Sequence, residues 1–269
     1  MKSKMITIRN ILLALTILCM VSGTAWVAYA VIYGQPDGNE HPYVGVATNQ
    51  IDRTCSCVAI SSEFLVTSAH CFETWGQEVY VSFEPAVDPT NPPPLLTGHW
   101  YPHPDFELGG GPGLPGFDTH DVAVIQLDSP HNLSRYAQLP DEYFVDSLPN
   151  GTYVEVVGYG LTHWVRGGGP PYWPFLEEGL TRYSAPARLI PSKHTQSGEY
   201  IKVSGDPAQG KGNACYGDSG GPNLLYGTDT ILALTSYMAN PMCAGVGYSN
   251  RIDTPYALEF IEDYLLPLP

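Results

Sequence analysis

The chain has 269 residues, with 12 Lys and Arg against 27 Asp and Glu, a formal charge of −15 at pH 7. A surface this acidic is repelled by phosphate backbones, which argues against nucleic acid as a partner. The length gives ample material for a core, and no second unrelated segment is visible.

Residues 1–30 read as a secretory signal peptide. Lys2, Lys4 and Arg9 form a basic start, Ile11–Val21 an apolar core, and Ala28-Tyr29-Ala30 an A-x-A cleavage site. An uncleaved membrane anchor is the alternative, since apolar character runs almost to Ile32, but Ser22, Gly23 and Thr24 interrupt it. Cleavage after Ala30 removes three basic residues and no acid. It leaves 239 residues with a balance of −18, which suits a soluble secreted protein, extracellular or periplasmic and free of the membrane.

From residue 31 to 269 the chain reads as short strands between turns, the pattern of an all-β barrel. The clearest are Val44–Ala47, Val58–Ile60, Val79–Phe83, Val122–Leu127, Tyr153–Val157 and Ile231–Ser236. Two loops rich in glycine and proline, Tyr101–Phe117 and Arg166–Pro174, resemble no folding element, and Tyr172 and Trp173 in or beside them could touch a substrate. Asn132-Leu133-Ser134 and Asn150-Gly151-Thr152 are glycosylation sequons, meaningful only in a host that glycosylates. The end alone looks helical, over about 255–266: Thr254 caps, Pro255 suits the first position, and Leu258, Ile261 and Leu265 recur at helical spacing.

Three segments carry chemistry. In Leu65–Cys71 an apolar run ends in small residues and His70, followed at once by Cys71. In His120–Leu127 a carboxylate, Asp121, stands at the mouth of an apolar strand, where it could hold the tautomer of an imidazole; Asp118 is its nearest rival. In Asn213–Pro222, NACYGDSGGP, Ser219 lies between glycines with Asp218 just before it. A serine hydroxyl needs a base to take its proton and donors to hold the oxyanion formed by its attack on a carbonyl. The segment also satisfies the G-x-S-x-G elbow pattern, whose histidine follows the serine, but no histidine follows His194. An acid-histidine-serine order would leave only acids such as Asp37 or Asp52, neither in a recognisable setting. Histidine, acid, serine is the remaining order, with His70, Asp121 and Ser219 as its members.

TSAHC, HDVAVIQL and GDSGGP in that order resemble the trypsin/chymotrypsin-like serine peptidase family, from about Val31 to the C-terminus. The resemblance implies an all-β fold of two Greek-key antiparallel barrels, about 31–140 and 141–253, with a C-terminal helix packed on the second. It implies a serine endopeptidase acting on protein or peptide substrates as a monomer. His70 would be base then acid, Asp121 its orienter, Ser219 the nucleophile, and the N–H groups of Gly217 and Ser219 the oxyanion hole. Cleavage after Ala30 would leave Val31-Ile32-Tyr33-Gly34 as the family's type of mature start, its ammonium pairing with Asp218. No room for a propeptide is visible, so signal peptidase itself would generate this terminus.

By the same resemblance Cys55 would pair with Cys71 and Cys215 with Cys243, leaving Cys57 as a buried thiol; secretion makes both bridges plausible. The cysteines and histidines show no paired ligand spacing, so neither metal nor cofactor is expected. Asn213 falls at the base of the family's primary pocket, where it offers no charge to an arginine or lysine. Ser236-Tyr237-Met238 falls on the pocket wall, and Met238 stands where a glycine keeps it open, narrowing the pocket toward small or medium apolar side chains. Ser236 would also bond Asp121, and the third wall residue is either Gly245 or Gly247. Two other functions stay open: an inactive relative used for binding, or a hydrolase acting mainly on esters or on a narrow set of proteins.

Overall fold

The computed structural model describes residues 30–49, 53–88, 91, 93–107, 119–161, 180–190, 198–206, 211–240, 243 and 245–265. Nearly all of the expected signal peptide lies outside them, as do Asp52, Asp118, Tyr172 and Trp173.

A turn at Ala30–Tyr33 leads into β1 (Gln35–Pro36). There follow β2 (Val44–Thr48), β3 (Thr54–Ala59), β4 (Phe64–Thr67), β5 (Gln77–Ser82), β6 (Ala86–Val87), β7 (Leu96–Pro102) and β8 (Ala123–Leu127). Six of these close an antiparallel barrel in the order β2-β3-β4-β8-β7-β5. The second half holds β9 (Tyr153–Gly158), β10 (Leu180–Thr181), β11 (Tyr183–Ile190), β12 (Tyr200–Gly205), β13 (Pro222–Leu225), β14 (Ile231–Met238) and β15 (Gly245–Arg251). Their order is β11-β12-β15-β14-β13-β9, and β9 pairs back onto β11, so this sheet closes as well, with β1 added at its edge. Closure leaves few free edges, which short strands of this composition would otherwise offer to other chains.

Burial supplies the driving force. Leu65 on β4 pairs with Ile125 on β8, Val66 with Val124, and all four are fully enclosed. Each such side chain contributes about 1.5–3 kcal/mol on leaving water. The second barrel centres on Val154, Val156, Ala187, Val203 and Leu232, and Val31 joins that cluster with no exposed surface.

Three expectations need correction. β3 begins at Thr54, four residues before Val58, because Cys55, Ser56 and Cys57 pair with β2 despite carrying no apolar alternation. Helix α1 (Pro255–Leu265) forms, but among the described residues the Thr254 hydroxyl makes no capping bond to it; the Thr254 carbonyl accepts from Ala257 and Leu258 instead. That helix also packs on β4 and β8 of the first barrel, where Ala257 and Ile261 enter the first core. The turn before it explains the direction. Arg251 bonds Asp253 and Asp146, and Asp253 accepts from Val145, so the turn is tied to the linker between the barrels.

Candidate active site

His70 sits just beyond β4, on a single 3-10 turn (Ala69–Cys71). Three ties fix that turn. Thr67 donates to the Ser56 carbonyl at 2.8 Å, Ser68 donates to the Thr235 carbonyl of the second barrel at 2.9 Å, and a disulfide joins Cys71 to Cys55 with Cα atoms 6.1 Å apart. Asp121 stands two residues before β8, after His120 in the left-handed region at φ 49°. Its Oδ1 accepts from the His70 backbone at 3.0 Å, and its Oδ2 lies 2.8 Å from His70 Nδ1. With Asp121 ionised, Nδ1 carries the proton and Nε2 is left as the basic nitrogen.

A third donor reaches Asp121 from the other barrel. The pairing of β14 with β15 slips between Thr235 and Tyr237, and the irregularity turns Ser236 so that its hydroxyl meets Asp121 Oδ2 at 2.5 Å. Burial pushes the Asp121 carboxyl upward, but the charge of His70 and these three bonds outweigh it and hold the pKa below the ordinary value. For His70, burial opposes protonation, yet the Asp121 charge and hydrogen bond prevail and its pKa lies above the usual imidazole value.

Ser219 is half-buried on the loop between β12 and β13. Ser56, a buried residue of β3, grips this loop twice: its N–H donates to the Ser219 carbonyl at 2.8 Å and its hydroxyl to the Gly217 carbonyl at 2.9 Å. It also accepts from the Tyr159 N–H at 3.0 Å. Nothing in the sequence singled out Ser56 beyond a polar residue lying between two cysteines. Gly220 lies so close to the His70 turn that a Cβ there would stand 2.0 Å from Thr67 Oγ1 and 2.8 Å from the Ser68 nitrogen; its φ of 76° demands glycine as well. The loop is thus pressed against the turn that carries His70.

Among the described residues, the hydrogen bonds of His70 run to Asp121 and none joins it to the Ser219 hydroxyl. Contacts of this kind are commonly loose before substrate arrives. Likewise among the described residues, the N–H groups of Gly217 and Ser219 take no protein acceptor, although their neighbours Asp218, Gly220 and Gly221 all do.

Asp218 is wholly buried. It accepts from the Gly160 N–H at 2.7 Å and the Cys215 N–H at 2.8 Å, and among the described residues no cation faces it. A Cβ on Gly158 or Gly160 would lie 2.3 or 2.4 Å from this carboxylate. Burial pushes its pKa up to about 7, against the pull of the two backbone bonds. Val31 lies in the turn bridged to Asn213, five residues before Asp218: the Asn213 N–H donates to the Ile32 carbonyl at 3.1 Å, and Val31 takes a φ of 44°.

The Asn213 side chain is occupied, with Nδ2 donating to the Gly245 carbonyl and Oδ1 accepting from Ala214, both at 3.0 Å. A Cβ on Gly247 would stand 2.9 Å from Asn213 Oδ1 and 3.1 Å from Met238 Sδ, so amide, thioether and Gly247 converge on one point. Met238 also packs on the second disulfide, Cys215–Cys243, whose Cα atoms are 5.2 Å apart. Cys57 is free and buried, and burial drives its thiol pKa well up. Among the described residues no group of His, Cys, Asp or Glu could hold a metal, and no helix is long and apolar enough to cross a membrane.

Two closed antiparallel barrels with this loop between them define a chymotrypsin-like fold. Residues 33–256 match the family model described as Trypsin, and the chain belongs to that family. The venom serine protease Bi-VSP of Bombus ignitus is 27% identical over 233 residues, which cover 79% of this chain and 59% of that relative's length. HL collagenase superposes with a TM-score of 0.65 at 18% identity, covering 88% of this chain and all of its own. Human heparin binding protein superposes with a TM-score of 0.63 at 19% identity, covering 88% and 98%. At these identities the two structures establish the fold.

Proposed function

We propose that this chain is a secreted serine endopeptidase that cleaves peptide bonds through an acyl-enzyme. The observation that carries the reading is the His70–Asp121–Ser236 chain of hydrogen bonds beside a serine loop whose Gly217 and Ser219 N–H groups take no acceptor among the described residues. Ser219 Oγ attacks the scissile carbonyl as His70 Nε2 takes its proton, and the oxyanion is received by those two N–H groups. His70 then gives the proton to the leaving amine. Water repeats the sequence on the ester, releasing the acid and restoring Ser219. Asp121 stays ionised throughout.

The mature terminus in this reading is Val31, freed by signal peptidase, and its ammonium supplies the cation that buried Asp218 lacks among the described residues. The primary pocket, with Asn213 tied to its own wall and Met238 reaching inward, takes small or medium apolar side chains. A peptide-library profile dominated by arginine would overturn that preference.

The test is the intact mass of the secreted protein before and after a fluorophosphonate probe, with Ser219→Ala as control. The expected result is a chain starting at Val31 that takes one probe, and a variant that takes none. An unlabelled Ser219 with Val31 exposed would reject catalysis in favour of a binding role.

A further inference from the structure

Arg182, just before β11, has no part in the chemistry above, yet it is fully buried. Its Nε donates to Asp37 Oδ2 at 2.7 Å and its Nη2 to the Gly38 carbonyl at 2.9 Å. Its Nη1 donates to the carbonyls of Val44 and Phe83 at 2.8 and 3.0 Å and to the Tyr159 hydroxyl at 3.1 Å. Asp37 is itself enclosed; it accepts from the His41 ring at 2.5 Å and donates its N–H to the Arg182 carbonyl at 2.9 Å.

The two ends of this cluster matter. Asp37 and Gly38 follow Val31 by six and seven residues, on the segment that leads from it into the first barrel. Tyr159 stands between Gly158 and Gly160, the two glycines seated on the Asp218 carboxylate. One planar guanidinium therefore ties the segment bearing Val31 to the strand end that cradles Asp218. A buried ion pair adds little net stability over apolar residues of the same volume, because desolvation consumes most of the attraction. Its directional bonds fix relative position instead.

We propose that Arg182 is a positioning residue: it holds the Val31 end of the chain in register with Asp218, and through that pair it fixes the oxyanion donors. The inference rests on the reading in which a free Val31 ammonium pairs with Asp218. The elements packed against residues 30–33 are β1, which carries no titratable group, β9 and β11, with Tyr153, Glu155, Tyr183 and Arg188, and the Asn213 bridge, two residues beyond Lys211. Glu155 faces His41 and Ser184, Arg188 donates to the Tyr153 hydroxyl, and Lys211 lies over the Tyr153 ring. In the proposed reading the terminus pairs instead with Asp218, which among the described residues meets only backbone N–H groups.

A paired ammonium has its pKa raised above the free α-amino value of about 7.7–8.0, so activity holds below that value and is lost as pH rises through the raised one. The experiment compares pH profiles of kcat and KM for the mature wild type, the double variant Asp37→Asn with Arg182→Met, and Tyr159→Phe. The double variant leaves no unpaired buried charge, and Tyr159→Phe removes one hydroxyl from a core that still packs. The expected result is an alkaline limb of kcat lowered by about one pH unit in the double variant and by less in Tyr159→Phe. KM and the acid limb set by His70 should stay within about twofold. An unchanged alkaline limb in Tyr159→Phe, and in the double variant if that folds, would make Arg182 a structural tie and overturn the inference. A wild-type profile flat far into alkali with Val31 exposed would overturn the ion pair itself, and the inference with it.

Discussion

Asp121 and Asp218 are both buried carboxylates of the candidate site, and they are treated in opposite ways. Asp121 meets an imidazole, a hydroxyl and a backbone N–H, and its pKa is held low. Asp218 meets two backbone N–H groups and, among the described residues, no cation, and its pKa rises to about 7. Burial penalises the charge of both; the presence of a partner decides the outcome. The first site is complete in the chain as folded. The second has backbone N–H groups alone among the described residues, and in the reading proposed above the Val31 ammonium completes it.

The largest break in this contrast comes from the complete site. Asp121→Asn should lower kcat by about 10⁴-fold, because the amide holds the wrong imidazole tautomer. His70 would lose the charge that raises its pKa, so the acid limb of the kcat profile should move to lower pH. Asp218→Asn keeps the shape and removes the charge. It should lower kcat by about 10²–10³-fold, the cost of losing one oxyanion donor, with KM nearly unchanged. A full rate in that variant would mean the Val31 ammonium has no part in the reaction.

The smallest effect is on stability. In a chain that keeps residues before Val31, Asp218 has a folded pKa of about 7 against 3.8 unfolded. The folded chain then binds more protons between those values, so its stability is full below about 4 and falls as pH rises toward 7. Melting temperatures should drop by several degrees across that window. The chain cut at Val31 should stay level there, since the ammonium offsets the buried charge. Parallel curves for the two chains would dissolve the contrast.

The segments around His70, Asp121 and Ser219 were legible because each packs a reactive group and its small neighbours into a few consecutive residues. The disulfides followed from the resemblance those segments carry, and both form. What escaped depends on register and on distant partners. The slip in β14 that turns Ser236 toward Asp121 has no local signature, although the bond itself was expected. Ser56 serves two segments more than a hundred residues away and looks like any small strand residue. Arg182 reads as a surface charge until the barrels close around it. The C-terminal helix was placed on the wrong barrel because its direction is set by Arg251 and Asp253, outside its own apolar stripe.

The φ of 44° at Val31 has a further consequence. For a β-branched residue that region costs on the order of 1–3 kcal/mol. A torsion needs four atoms, and the first of these four is the carbonyl carbon of Ala30. Cutting the Ala30–Val31 bond does not relax the angle; it abolishes it, because a terminal residue has no φ. If the chain is cut there, as proposed above, that cost falls on the uncut chain alone, and rejoining the ends would have to restore it.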